Sequence, residues 1–232
     1  MKRLFAFLFF AAVTIELSAH LFGTGLNLYS KPLLMPLLTL YFFASYHYKT
    51  DRRALMVVLA LLLSCVGDVS LMGQSTARFI TGLSSFLLAH IVYILIFIRS
   101  EESQSFSFRL SSKLILPMLA YILVLMVFLL PGSGPMKAPI IIYGLTILMM
   151  WYTAALRFGI RSPYRNWQVI IGATLFVLSD SMIGLNRFYT ALPQSGFLIM
   201  STYIGGQFLI VNGLLEYFKE SASMSGVKPQ SI

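Results

Sequence analysis

Long runs of apolar residues alternate with short polar stretches along the whole chain. Eight runs have the roughly 20 mostly apolar residues that an α-helix needs to cross the hydrocarbon layer of a membrane. They cover residues 4–22, 31–48, 54–73, 78–98, 114–130, 138–157, 168–187 and 196–218. The pattern predicts an all-α polytopic membrane protein, with an eight-helix transmembrane domain over residues 1–220 and a disordered tail over 221–232.

The composition supports a membrane protein and excludes a soluble domain. Charged residues make up only 11% of the chain, against about 25% in soluble proteins, and the mean hydropathy is +0.82. The first segment, MKRLFAFLFFAAVTIELSA, imitates a secretory signal peptide. Glu16 fits a signal peptide poorly, so we interpret the segment as a retained first helix. The single cysteine, Cys65, allows neither an intramolecular disulfide nor a thiolate metal cluster.

The basic residues are divided unequally between the two sides of the predicted membrane domain. With eight spans, thirteen of the 17 Lys and Arg residues fall on the side that holds both termini. The other side holds Lys31, Arg78, Lys137 and Arg187. Because cytoplasmic loops are rich in Lys and Arg, we expect both termini in the cytoplasm and the protein in a bacterial inner membrane. The net charge of +9 then reflects topology, and we expect no nucleic-acid partner.

Two carboxylates interrupt the apolar runs, Asp68 in the third predicted helix and Asp180 in the seventh. A charge at the centre of a bilayer costs about 2.5–3.5 kcal/mol, so an intramembrane carboxylate is a candidate functional residue. Counted from the outer helix ends, the two differ in depth by only about 3 Å, and Glu16 lies at a similar depth in the first helix. A hydrogen bond between helices is the alternative role for each aspartate.

The sequences around the two aspartates are similar to each other. GDVSLMGQSTARF at 67–79 and SDSMIGLNRFYT at 179–190 both place a small residue before Asp and Arg-Phe near the end. The likeness indicates either a four-plus-four parallel repeat, with a ligand site between the halves, or a chance match of short segments.

Further polar residues lie within the predicted helices or at their ends. Lys31 either extends to the membrane surface, binds a phosphate or pairs with an aspartate. Mid-helix residues such as His90 and Gln207 are either hydrogen-bonded core residues or parts of a site. The candidate binding residues are Lys31, His90, Tyr93, Tyr143, Asn186, Arg187, Tyr203 and Gln207.

Several catalytic patterns are absent from the sequence. The histidines do not converge, because His20 and His47 lie at opposite helix ends with His90 between them, so we expect no metal site. There is no G-x-S-x-G motif and no Gly-rich phosphate loop. Intramembrane aspartyl proteases carry Gly-x-Gly-Asp, whereas this chain has CVGD at 65–68 and lacks Tyr before Asp180.

In their order along the chain, these motifs resemble the YhhN-like family of eight-span membrane proteins, whose characterised animal members are lysoplasmalogenases. The likeness rests on Lys31-Pro32 with Pro36, Gly67-Asp68 with Leu71, Phe86-x-x-x-His90-x-x-Tyr93, Tyr143, Ser179-Asp180 with Arg187-Phe188, and Tyr203-x-x-x-Gln207. The departures lie in loops and in flanking apolar residues. The resemblance implies hydrolysis of the vinyl ether bond of a lysoplasmalogen, giving a fatty aldehyde and glycerophosphoethanolamine or glycerophosphocholine.

The resemblance also implies roles for the candidate residues. Asp68 and Asp180 would form a catalytic pair, in which one carboxylic acid protonates the vinyl ether and one carboxylate stabilises the cation and activates water. Burial and a neighbouring carboxyl both help one member of such a pair to keep its proton. Which aspartate is the acid stays open. Lys31, Asn186 or Arg187 would hold the phosphate, and the remaining candidates would orient or line the site, without a cofactor.

A second class of function uses the same features. A proton-coupled transporter or lipid carrier also places carboxylates within the membrane, and it needs to reach them from both sides. An enzyme needs only one opening. The expected partners of the hydrolase are a vinyl ether lysophospholipid and the surrounding membrane lipid.

Overall fold

The computed structural model describes residues 1–46, 52–99, 108–156 and 163–224, without the side chains of 108–114, 163–166 and 224. Eight long α-helices account for nearly all of the described chain, which contains no strand. They are α1 (Lys2–Phe22), α2 (Asn27–Ser45), α3 (Arg52–Leu71), α4 (Thr76–Arg99), α5 (Phe108–Gly132), α6 (Lys137–Leu156), α7 (Pro163–Phe188) and α8 (Ser195–Met224). His47 and residues 225–232 of the predicted tail lie outside the described residues.

Seven of these helices are long and apolar enough to cross a membrane, counted over the described residues. The eighth, α2, contains Lys31, two prolines and several hydroxyl side chains, which make it more polar. The prediction of an all-α polytopic membrane protein is confirmed. The repeat, the cytoplasmic termini and the start of the tail at residue 221 stay predictions. We call the end of the helix bundle that holds neither terminus the outer end.

Hydropathy predicted the positions of the helices along the chain correctly, but it predicted their first and last residues less accurately. Helices α5 and α7 begin at Phe108 and Pro163, within stretches that were expected to be loops, and α8 continues to Met224 instead of ending at 218. The reason is that hydropathy marks the crossing of the hydrocarbon layer, whereas backbone hydrogen bonds continue into the polar layer beyond it.

The predicted start of the second helix at residue 31 is wrong. Helix α2 begins one turn earlier, because the amides of residues 28–30 already bond to carbonyl groups of the preceding turn. Pro36 lacks the N–H that would bond to the carbonyl of Pro32 in an unbroken helix. Cys65 on α3 donates from its Sγ to that carbonyl at 3.7 Å, which ties α3 to α2.

Most consecutive helices pack against each other, although α4 packs against α6 and not extensively against α5, and the contacts of α3 with α4 and of α7 with α8 are the most extensive. Two glycines face each other where α7 and α8 cross. A Cβ on Gly172 would lie 2.7 Å from the carbonyl oxygen of Gly206, and a Cβ on Gly206 would lie 2.8 Å from that of Gly172. The two backbones therefore touch, and this contact fixes the helix of Asp180 against the helix of Tyr203.

Candidate active site

The carboxyl group of Asp68 is buried near the outer end of α3. Tyr203 on α8 donates a hydrogen bond from its Oη to Asp68 Oδ2 at 2.8 Å. Asp68 is 2% exposed, so the tyrosine supplies the partner that a buried polar group needs. Lys31 on α2 is half-buried, and its ammonium group interacts electrostatically with the carboxyl group of Asp68. Its predicted contact with a phosphate stays a prediction.

Asp180 on α7 has a similar arrangement. Tyr143 on α6 donates from its Oη to Asp180 Oδ2 at 2.9 Å, and Asp180 is 8% exposed. His90 on α4 places its Nε2 at 3.4 Å from the same carboxyl oxygen. Three helices therefore converge on one carboxyl group, and the sequence had named all three residues only as separate candidates.

His90 is fully buried between aromatic rings. Its ring lies 4.7 Å from that of Phe176 and 5.5 Å from that of Tyr143, measured between centroids. Neither ring nitrogen makes an aligned hydrogen bond within the described residues. Because nearly all buried polar groups make one, such a histidine marks a candidate functional position. His90 therefore keeps unused hydrogen-bonding capacity beside Asp180.

Tyr93 and Gln207 bond to each other on the inner side of Asp68. The Oη of Tyr93 donates to Gln207 Oε1 at 2.6 Å, and Gln207 Nε2 donates to Ser64 Oγ at 3.0 Å. These bonds link α3, α4 and α8 beneath the carboxyl group. Ser64 was not among the predicted site residues, although it lies four residues before Asp68 and thus on the same helix face.

A partly open cavity lies beside Asp180 in the outer half of the bundle. Its walls come from the outer parts of α4 to α7, with Leu71 of α3. Asp180, Ser181 and Tyr143 are its polar lining residues, and the others are apolar residues and glycines. Such a cavity fits an apolar ligand that presents one polar group to Asp180.

Arg187 and Phe79 lie at the outer end of this cavity. The guanidinium group of Arg187 lies over the Phe79 ring at 5.1 Å, and the Phe79 and Phe188 rings meet at 5.7 Å between centroids. Arg187 is exposed, so its charge is accessible to an anionic group. Asn186 accepts a hydrogen bond from the amide of Leu192 at 3.0 Å, which holds the loop between α7 and α8.

Phe86 and Phe176 lie between the two carboxyl groups. Phe86 lines the cavity, and its ring packs against that of Tyr203 at 5.7 Å. Phe176 packs against the Tyr203 ring at 5.4 Å. Among the described residues, Asp180 lines the cavity and Asp68 does not. The two carboxyl groups still interact electrostatically across the rings.

The two aspartates differ more in depth than the sequence predicted. Asp68 lies three residues before the end of α3 at Leu71, and Asp180 lies eight residues before the end of α7 at Phe188. Measured from these helix ends, the difference is about 7.5 Å instead of about 3 Å. The predicted depths were close because the assumed end of the third helix lay two residues beyond Leu71.

Glu16, for which no role was predicted, belongs to a polar cluster on α1 and α2. It is fully buried, and Ser30 on α2 donates from its Oγ to Glu16 Oε2 at 2.6 Å. His20, one turn further along α1, places its Nε2 at 3.1 Å from Glu16 Oε1. The spacing of four residues between Glu16 and His20 places them on one face of a helix, so this contact could have been predicted from the sequence. The cluster joins α1 to α2.

The long apolar helices are those of an integral membrane protein, and the buried carboxyl group of Asp180 beside the largely apolar cavity is its candidate site. The chain belongs to the YhhN family, whose family model matches residues 26–214. Asp68, Asp180 and all the candidate binding residues fall within the matched region, whereas Glu16 and His20 precede it.

Several relatives of the chain carry the name lysoplasmalogenase. Human lysoplasmalogenase TMEM86B is 32% identical over 154 residues, which cover 65% of this chain and 59% of the human protein. Lysoplasmalogenase TMEM86A of Bos taurus is 28% identical over 174 residues, covering 72% of this chain and 68% of the relative. The lysoplasmalogenase of Mycobacterium tuberculosis is 31% identical over 175 residues, covering 73% of this chain and 64% of the relative. No solved structure matches the chain.

Proposed function

We propose that this protein hydrolyses the vinyl ether bond of lysoplasmalogens, with lysoplasmenylethanolamine or lysoplasmenylcholine as its substrate. The products are a fatty aldehyde and glycerophosphoethanolamine or glycerophosphocholine. The observation that carries the proposal is the carboxyl group of Asp180 in the wall of an otherwise largely apolar cavity. Membership of the YhhN family and the relatives named lysoplasmalogenase support it.

Vinyl ether hydrolysis needs one acid and one base, which the pair of Asp68 and Asp180 can supply. One carboxylic acid gives its proton to the β-carbon of the vinyl ether, and an oxocarbenium ion forms. Water adds to the cationic carbon and loses a proton to the other carboxylate. The hemiacetal then collapses to the aldehyde and a free glycerol hydroxyl. General acid–base catalysis contributes about 10²- to 10⁴-fold, and a carboxylate beside the cation stabilises it further.

The neighbouring polar residues orient the two carboxyl groups. Tyr143 and His90 contact Asp180, and Tyr203 donates its hydrogen bond to Asp68. Tyr93 and Gln207 support this arrangement from the inner side. Groups held by such contacts lose little orientational freedom during the reaction, which is the main contribution of a preorganised site.

The spacing along α7 suits a lysophospholipid. Arg187 lies seven residues beyond Asp180, or about 10 Å along the helix axis. An extended glycerophosphate group bridges a comparable distance between a phosphate and the vinyl ether carbons. We therefore assign the phosphate to Arg187, while Lys31 and Asn186 remain further candidates. The alkenyl chain then lies along the apolar walls of the cavity.

The position of the cavity favours a hydrolase over a transporter or lipid carrier. Its lining residues belong to the outer parts of the helices, and closely packed residues such as Ile96, Phe97 and Leu214 lie further in. A carrier needs access from both sides, and an enzyme needs one. From the distribution of basic residues we infer that the outer end faces away from the cytoplasm, with both termini inside, in a bacterial inner membrane.

Purified protein in detergent tests the proposal directly. Lysoplasmenylethanolamine is supplied beside its saturated ether and ester analogues, and free fatty aldehyde is measured. We expect aldehyde from the vinyl ether alone, and we expect Asp68→Asn and Asp180→Asn to abolish its release while the proteins remain folded. Absence of aldehyde from well-folded wild-type protein overturns the proposal, and transport assays follow.

A further inference from the structure

Phe86 contacts the cavity on one side and the surroundings of Asp68 on the other. It lines the cavity on α4, and its ring packs against Tyr203, the hydrogen-bond donor to Asp68. It also lies directly against Gly67, where an added Cβ would be 2.7–2.9 Å from three atoms of the ring. The phenyl ring is therefore part of the partition between the cavity and the carboxyl group of Asp68.

The proposed reaction requires both carboxyl groups to meet the same vinyl ether bond. Asp180 lines the cavity, whereas Asp68 lies behind the ring of Phe86. We propose that Phe86 is a positioning residue that closes Asp68 off from the cavity, and that its side chain swings aside to admit the substrate to Asp68. This inference rests on the proposed function for its catalytic meaning, although the access of Asp68 can be measured without turnover.

The surroundings of Phe86 favour movement of the side chain over movement of the helix. The adjacent Ser85 donates from its Oγ to the carbonyl of Leu63 at 2.6 Å, which holds α4 to α3. One turn earlier, Gly82 packs closely against Leu71, and a Cβ there would lie 2.7 Å from its side chain. The backbone of α4 is thus held against α3 in the turn that leads to Phe86, while the cavity offers space into which the ring can turn.

Carbodiimide labelling measures this access. Dicyclohexylcarbodiimide is an apolar reagent whose central carbon bonds to a carboxyl oxygen while the acid proton moves to one of its nitrogens. We expect it to label Asp180 in the wild-type protein and to label Asp68 much more slowly, as read from the modified peptides by mass spectrometry. In Phe86→Ala, labelling of Asp68 should rise about tenfold or more, the change that a barrier lower by about 1.4 kcal/mol produces.

A matched variant separates loss of the partition from simple enlargement of the cavity. Phe79→Ala removes the same side chain from the outer end of the cavity, and it should leave the labelling of Asp68 at the wild-type level. Because truncation of a buried phenylalanine can prevent folding, Phe86→Leu is measured alongside and should give an intermediate rate. Asp68→Asn confirms which peptide carries the label.

Two results overturn the inference: equal labelling of both aspartates in the wild-type protein, or no increase at Asp68 in either Phe86 variant. These results are independent of aldehyde release. If the labelling follows the expected pattern but no aldehyde forms, the partition stands and the proposed hydrolase activity fails. If aldehyde forms but the Phe86 variants label Asp68 at the wild-type rate, the proposed hydrolase activity stands and the proposed partition fails.

Discussion

Tyr143 and Tyr203 each present one hydroxyl group to one carboxyl group of the site. Substitution by phenylalanine removes that hydroxyl and leaves the ring in place. Because a hydrogen bond to a charged group contributes about 1.5–3 kcal/mol, we expect Tyr143→Phe and Tyr203→Phe each to lower the rate of aldehyde release about 10- to 100-fold. The measurement is kcat with lysoplasmenylethanolamine, together with the melting temperature of each variant.

Tyr29 provides the matched control for these two substitutions. It is 75% exposed near the start of α2, so Tyr29→Phe should keep the wild-type rate. If both site variants keep that rate as well, the tyrosine hydroxyls do not act on the reacting carboxyl groups.

Arg187 carries a different prediction, because its charge lies at the outer end of the cavity. If it binds the phosphate, Arg187→Ala should raise KM for a lysoplasmalogen about tenfold, equal to about 1.4 kcal/mol, with little change in kcat. A 1-alkenylglycerol, which lacks the phosphate, should be hydrolysed equally well by the variant and the wild-type protein.

The exposed Lys137 at the start of α6 is the control cation for that experiment. Lys137→Ala should leave KM for both substrates unchanged. An equal loss with both substrates in Arg187→Ala would mean that the arginine supports the structure of the outer end, by its contact with Phe79, and does not bind phosphate.

The site residues that could be predicted from the sequence are charged or polar, whereas Phe86 is an apolar residue whose role could not be predicted. Asp68 and Asp180 were visible because a carboxylate inside an apolar run is costly and rare. Phe86 appeared only as part of a family motif, because one phenylalanine among 19 in the chain carries no sign of its neighbours. Its place in the partition depends on contacts with α3 and α8, which no local pattern records.

At the scale of the helices, the crossing of α7 and α8 determines how the two halves of the site meet. Gly206 touches Gly172 at this crossing, and α7 carries Asp180 while α8 carries Tyr203. In Gly206→Ala the new methyl group would press on the α7 backbone, at an expected cost of about 1–3 kcal/mol. We therefore expect a lower melting temperature and a lower kcat, measured by thermal unfolding in detergent and by the aldehyde assay.

Gly205 is the adjacent control on the same helix. A Cβ at this position would lie 3.5 Å from Leu175 Cδ1, which is an ordinary van der Waals contact. Gly205→Ala should therefore keep the wild-type melting temperature, or raise it slightly because alanine favours helix. If the two variants behave alike, the close approach of the backbones at Gly206 is not what positions the site.

At the scale of the whole molecule, the number and order of the helices could be predicted, and their packing could not. Both the lipid-facing and the buried surfaces of a membrane helix are apolar, so hydropathy does not distinguish them. On α1, Phe7 is 69% exposed and Phe9 is 1% exposed, although the two side chains are identical. The meeting of α4, α6 and α7 at Asp180 depends on which face of each helix is buried. It became visible only in the structure.

The topology of the molecule in the membrane yields the last prediction. If the termini are cytoplasmic, the outer end with its cavity faces the opposite side of the membrane. Thr24 and Thr190 are exposed in the loops at this outer end. In a Cys65→Ser background, Thr24→Cys and Thr190→Cys should react with a membrane-impermeant maleimide in intact cells, whereas a cysteine appended to the C-terminus should react only after lysis.

The Cys65→Ser background is suitable because serine keeps a donor for the carbonyl of Pro32 and removes the only native thiol. Labelling of the appended cysteine in intact cells, with protection of both outer loops, would reverse the assigned topology. The cavity would then open towards the cytoplasm, and its substrate would come from the inner leaflet. Labelling of the outer loops in intact cells would instead support the assigned topology, in which the proposed lysolipid substrate enters from the leaflet facing away from the cytoplasm, because the cavity lies in that half of the bundle.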